Sequence, residues 1–209
     1  MPLYREWSVG HDSLAAIWKI DEPESFFVAR TGVQPDIKNE KRRMEHLAGR
    51  FLLKHLKEDF PVLNIRPDDH DKPRIADNQY FFSISHSWPY VAAIVSPYHE
   101  CGIDLQVWHE RMTLLQHKYL SATEQALFNN DPKMLTMAWS AKEAAYKWQG
   151  MRGVEFIDHL VIESISAFPE KYYITIILNL MNPNRVLTVE SHIEPYFSCA
   201  YVVDSQMIP

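Results

Sequence analysis

Two similar runs of local pattern predict an α+β fold. A long stretch at helical spacing, residues 38–58, precedes three strand-like runs. A second helical region, residues 121–149, precedes three more. Each half therefore reads as helix plus strands, with the strands mostly antiparallel. The length, 209 residues, suits one large domain or two small ones. Apolar residues make up 46% and charged residues 23%, which argues against a disordered chain. Gly numbers only 6, so a collagen-like or glycine-rich sequence is excluded.

The elements follow in order. Residues 13–19 (SLAAIWK) read as a strand. Residues 38–58 read as an amphipathic helix, with Met44, Leu47, Phe51 and His55 on one face and Leu52 and Leu53 widening it. Pro61 ends it. Residues 79–84 and 90–96 read as paired strands, joined by Ser85-His86-Ser87-Trp88-Pro89. Residues 101–107 (CGIDLQV) form another strand. Helical segments at about 121–129 and 133–149 come next, and Gly150 is suited to stop the second. The β-rich runs 172–179, 186–192 and 197–203 complete the chain.

Several function classes are disfavoured at once. The net charge is −6, whereas a general nucleic-acid binder is usually basic. No stretch approaches the ~18–20 apolar residues of a membrane span. The first residues lack a basic segment followed by an apolar one, so no secretory signal is read. Cys101 and Cys199 sit in apolar runs and read as two buried reduced thiols, with a disulfide or metal pair as the alternative. A cytoplasmic protein is expected. Against the acidic background, Lys38 to Lys57 carries seven basic residues and two acidic ones. Such an island suits an anionic ligand or a solvated helix face equally.

Three segments carry candidate chemistry. In the strand 101–107, Cys101, Ile103, Leu105 and Val107 point one way; Asp104 and Gln106 point the other. A carboxylate and an amide oxygen side by side suit a hard cation such as Mg²⁺. In Trp139-Ser140-Ala141-Lys142-Glu143-Ala144-Ala145-Tyr146-Lys147, residues Trp139, Glu143 and Lys147 recur at four-residue spacing, with Lys142 beside them. One helix edge then bears two ammoniums and one carboxylate: a surface Glu-Lys pair, or a carboxylate for metal and lysines for phosphate. Glu124 follows Ser121 near a helix start, where the helix dipole favours an acid. Asp71-Lys72-Pro73-Arg74 and Ser85-His86-Ser87 add cations and small donors at turns.

Together these pieces resemble the surfactin-type 4′-phosphopantetheinyl transferases. Lys72-Pro73, Ser85-His86-Ser87, Gly102-Ile103-Asp104 and the Trp139–Lys147 helix match the family's pattern in order and approximate spacing. The resemblance covers roughly residues 38–165. It implies two similar α/β halves about a pseudo-twofold axis, residues 1–104 for nucleotide contacts and residues 105–209 for metal, base and lysines. It also implies transfer of phosphopantetheine from coenzyme A to a serine of an apo acyl or peptidyl carrier protein. Adenosine 3′,5′-bisphosphate would be released.

By the same resemblance Asp104 and Glu143 would hold Mg²⁺, with Mn²⁺ as the alternative ion. Lys142 and Lys147 would neutralise the pyrophosphate. Glu124 would take the serine proton. Lys72, Pro73, Ser85 and His86 would grip the nucleotide phosphates, and Lys41 to Arg43 would lie near the 3′-phosphate. Gln106 departs from the family, which often has a Glu there as a further metal ligand. Asp71 stands where the family often has Gly. A monomer is expected, because both halves lie in one chain. The rivals are a metal-dependent pyrophosphate hydrolase acting on coenzyme A-like nucleotides and a non-catalytic carrier-protein or coenzyme A-binding module.

Overall fold

The computed structural model describes residues 2–76, 79–180 and 183–203. The chain is mixed α/β and divides into two compact units, one within Met1–Cys101 and the other Gly102–Val202. Among the described residues, no helix is long and apolar enough to cross a membrane.

The first unit is a four-stranded antiparallel sheet covered by a long helix. Strands β1 (Leu3–Val9), β2 (Ser13–Lys19), β5 (Phe81–Ser87) and β6 (Tyr90–Ser96) stand in the order β1-β2-β6-β5. Helices α1 (Glu24–Thr31) and α2 (Glu40–Leu56) precede a small hairpin of β3 (Ile65–Pro67) and β4 (Pro73–Ile75). The α2 helix starts at Asn39, whose side chain accepts the Arg42 N–H at 3.0 Å. Its apolar stripe, Met44, Leu47, Phe51 and Leu52, packs on Trp18, Val91, Ala93 and Phe82 of the sheet. His55 ends that stripe half-exposed, pairing with Glu6 at 2.8 Å. Gly49 lets the helix come close: a Cβ there would lie 2.9 Å from the Ile84 side chain.

The strand β5 runs through Ser85, His86 and Ser87, which the sequence reading assigns to a connection. The ladder continues to Ser87 opposite Tyr90, leaving only Trp88 and a cis Pro89 for the turn. The strand β1, the helix α1 and the β3–β4 hairpin also escape the sequence pattern.

In the second unit, β7 (Cys101–Val107) lies beside β11 (Phe197–Val203), followed by β10 (Arg185–Ile193), β9 (Tyr172–Leu178) and β8 (Leu160–Ala167). The β8 to β11 pairings are antiparallel. Short helices α3 (Met112–Leu115), α4 (Ala122–Gln125) and α6 (Phe156–His159) surround α5 (Pro132–Gln149). Local chemistry sets both ends of α5. Asp131 accepts the N–H groups of Lys133 and Met134, Pro132 opens the first turn, and Gly150 takes the left-handed conformation at φ 76°. The core joins Leu135, Ala138, Ala141, Ala145 and Trp148 of α5 to Ile162, Ile174, Ile176, Val189 and Ala200 of the sheet. Cys101 and Cys199 are both buried and are not joined in a disulfide.

Candidate active site

The contact between β7 and α5 builds the site. At Gly102 an added Cβ would fall 2.0 Å from the Ala144 carbonyl oxygen and 2.8 Å from the Trp148 nitrogen. Only a residue without a Cβ lets the strand lie against the helix backbone there. Two residues on, Asp104 therefore meets the helix side chains one turn away. Its Oδ1 accepts the Lys147 ammonium at 2.7 Å, and Lys147 also donates to the Ile103 carbonyl at 3.2 Å. The alternation of the strand holds, yet Asp104 is only 6% exposed. The helix covers the face that a strand pattern alone would assign to solvent.

Glu143 lies one helical turn before Lys147. Burial and then the negative charge of Asp104 raise its carboxyl, Lys147 offsets part of the rise, and the net effect leaves it at about 7. Two carboxylates thus act on one another beside one ammonium. Gln106 donates its amide N–H to the Val107 carbonyl at 3.0 Å. Gln106 and Glu143 both line a cavity of about 500 Å³, whose wall includes Met112, Leu115, Trp139 and Phe156. His109, Arg111 and Lys118 bring basic character to it.

The donor set fits a hard divalent cation. Asp104 and Glu143 are charged oxygen donors whose mutual repulsion a cation relieves, and Gln106 can add a neutral amide oxygen. No cluster of three or more His, Cys, Asp or Glu suited to a metal occurs among the described residues. Such a site is of the kind that leaves further positions to water and phosphate oxygens.

Lys142 does not share the edge of Glu143 and Lys147. One residue before Glu143, it points about 100° away around the helix, on the side of Ala138, Ala141 and Ala145. It is fully buried and donates to the carbonyls of Tyr119 at 2.7 Å and Phe156 at 2.9 Å. It also pairs with Glu124 at 2.6 Å. Glu124 closes a capping box with Ser121 and accepts the Ile162 N–H at 2.8 Å. The sequence expectation of two ammoniums on one open edge is corrected to one, that of Lys147. Burial lowers the Lys142 pKa, and Glu124 works against that.

In the first unit the expected ligands are spread over several settings. Arg43 donates to Glu24 at 2.9 Å and to the Ile37 carbonyl at 2.8 Å, so it ties α1 to α2. Lys41 is exposed, its ammonium 6.0 Å from the Trp88 ring. Lys72 pairs with Glu100 at 2.9 Å, its side chain 8% exposed, and Arg74 shares the same carboxylate. Pro73 opens β4. The preceding Asp71 has φ 64°, a left-handed conformation that Gly adopts freely and Asp tolerates. Ser85 is buried, and half-exposed His86 meets Glu45 at 3.2 Å.

Two residues were not singled out in the sequence. His46 and Arg50, one turn apart on α2, lie close enough to His86 for the three to act on one another. Burial, then Arg50 and His86, push His46 down to about 4. Burial also lowers Arg50, and among the described residues no hydrogen bond or ion pair engages its guanidinium. The signal was present as an i, i+4 pair inside the basic island.

No curated protein matches the chain. Residues 100–201 match the family model described as the 4′-phosphopantetheinyl transferase superfamily. The matched segment holds Asp104, Glu124, Glu143 and Lys147, while the Lys72-Pro73 and Ser85-His86-Ser87 motifs lie outside it. The superfamily likeness is therefore a property of the segment that contains the β7–α5 acid pair.

Proposed function

We propose that the protein transfers the 4′-phosphopantetheine group of coenzyme A to a serine hydroxyl of a carrier protein. A phosphorus–oxygen bond forms to the serine, the pyrophosphate bond breaks, and adenosine 3′,5′-bisphosphate leaves. The observation that carries this reading is Asp104, Glu143 and Lys147 meeting at one strand–helix contact within the segment matching the superfamily.

The chemistry asks for positive charge where the pyrophosphate gains negative charge, with its reacting groups held in line. Lys147 is partly exposed and stands beside both carboxylates, so it can turn toward a phosphate oxygen while Asp104 orients it. Asp104 and Glu143, with Gln106, would hold a divalent cation of the Mg²⁺ type; bound there, it would neutralise pyrophosphate charge. The cavity beside Glu143 is mostly apolar, which suits a neutral pantetheine arm better than a nucleotide. In the first unit, the Arg50 guanidinium, with the His46 imidazole one turn away, suits a phosphate dianion, and the 3′-phosphate is the group of coenzyme A that fits.

Mass spectrometry of a panel of apo carrier proteins, incubated with this protein, coenzyme A and Mg²⁺, tests the reading. Gain of one phosphopantetheine by any carrier is the expected result. Release of free phosphopantetheine with or without a carrier would instead make it a hydrolase. Binding of coenzyme A without either product would make it a binding module.

A further inference from the structure

We infer that Lys142 and Glu124 are positioning residues: a buried pair that fixes the walls of the cavity beside Glu143 and touches no substrate. An ammonium has three protons to donate. Lys142 has three acceptors in reach: the Tyr119 carbonyl at 2.7 Å, the Phe156 carbonyl at 2.9 Å and Glu124 Oε1 at 2.6 Å. With its side chain at 0% exposure, nothing is left to offer a phosphate.

Glu124 is filled in the same way. Its Oε1 accepts the Ile162 N–H at 2.8 Å besides Lys142, and its Oε2 accepts the Ser121 N–H at 2.7 Å. A general base must come within about 2.6–3.2 Å of the proton it takes, or reach it through one water. A carboxylate 1% exposed, held by two backbone N–H groups and an ammonium, presents no such edge.

What the pair does hold is the cavity. Tyr119 and Phe156 both line it, as do Trp139 and Glu143 on the helix that carries Lys142. The Trp139 ring stands 5.2 Å from Tyr119 and 5.5 Å from Phe156. One ammonium thus binds the backbones of two wall residues to the helix that supplies the third ring and the carboxylate. Through Ile162 and Ser121, Glu124 anchors that ammonium to β8 and to the start of α4. Only the activity measurements below rest on the transferase reading.

Two measurements test the inference. The first is the pH dependence of kcat/KM for wild type, Glu124→Gln, Lys142→Met and the double variant, each checked for folding. Leaving one charge buried without its partner is worse than removing both. The double variant should therefore recover on the order of 10-fold over the poorer single variant, with the acidic limb at its wild-type midpoint. Loss of that limb on removing Glu124, or penalties that multiply in the double variant, would overturn the inference.

The second measurement uses the wild-type protein, so it does not depend on any variant folding. A lysine-acylating reagent, with sites read by mass spectrometry, should modify exposed Lys133, which does not line the cavity, and leave Lys142 unmodified, with or without coenzyme A. Labelling of Lys142 that coenzyme A suppresses would show it to be a ligand. If the wild type transfers nothing to any carrier, the transferase reading fails, while the labelling of the free protein still decides whether Lys142 is a buried pin.

Discussion

Asp104 and Glu143 come from a strand and a helix, yet the charge of each acts on the other. Their arrangement predicts that Asp104→Asn and Glu143→Gln each lower transfer by on the order of 100-fold or more, since one lost electrostatic stabiliser costs ~2.7–4 kcal/mol. Folded variants with wild-type turnover would remove these residues from the site. Gln106→Glu should lower the Mg²⁺ concentration for half-maximal rate, because a charged donor replaces a neutral one; an unchanged Mg²⁺ titration would place that side chain off the metal. A separate residue-level prediction concerns Glu190. Burial disfavours its ionisation, but hydrogen bonds from His192, Tyr201 and Lys171 outweigh this and hold it at about 2. A depressed carboxylate pKa gives stability that is full above the ordinary carboxylate range, near 4.5, and is lost as pH falls through about 2. Acid unfolding of wild type and Glu190→Gln should differ by about 1–2 kcal/mol near pH 6, after solvent screening. The two curves should converge near pH 2, and parallel curves would refute the assignment.

At the level of elements, the site depends on how closely β7 approaches α5. Gly102→Ala puts a methyl group into the α5 backbone, where no side-chain rotation relieves it. The expected cost is about 1–3 kcal/mol or more, from forced displacement of the helix. Transfer should fall as well, because the same shift separates Asp104 from Lys147. A variant with unchanged melting temperature and activity would show that the contact is not required. The two long helices were legible because their signals are local: apolar spacing in both, with Asp131, Pro132 and Gly150 bounding α5. In contrast β8 was not, since Glu163, Ser164 and Ser166 interrupt its apolar run and it forms a sheet edge with a register shift after Ile162. The small helix α1 is only eight residues long and begins at Pro23 with no side-chain cap. Asp104 and Glu143 were each legible as candidates, one from strand alternation and the other from four-residue spacing, while their pairing rested on the family resemblance. The depth of Asp104 and the inward turn of Lys142 were not, because both follow from tertiary packing of α5.

Across the whole molecule, cations are allotted to different work, and kinetics can separate the roles. An acidic chain keeps a basic island on α2, where Arg50 is half-buried one turn from the neutral His46 imidazole. Arg43, in the same basic island, is instead engaged by Glu24 and the Ile37 carbonyl. Lys147 stands with the acid pair of the second unit. Binding that is equal in the ground and transition states affects KM, whereas interactions strengthened in the transition state affect kcat. Arg50→Ala should therefore raise KM for coenzyme A roughly 10-fold or more, the worth of one charge-assisted hydrogen bond, and leave kcat nearly unchanged. With 3′-dephospho-coenzyme A that penalty should largely vanish, because the partner is already missing. Arg43→Ala should lower stability and affect both substrates alike, since its partners belong to the fold. Lys147→Ala should lower kcat on both substrates. Equal penalties for Arg50→Ala on coenzyme A and its dephospho form would detach Arg50 from the 3′-phosphate, leaving the basic group on α2 as a solvated helix face.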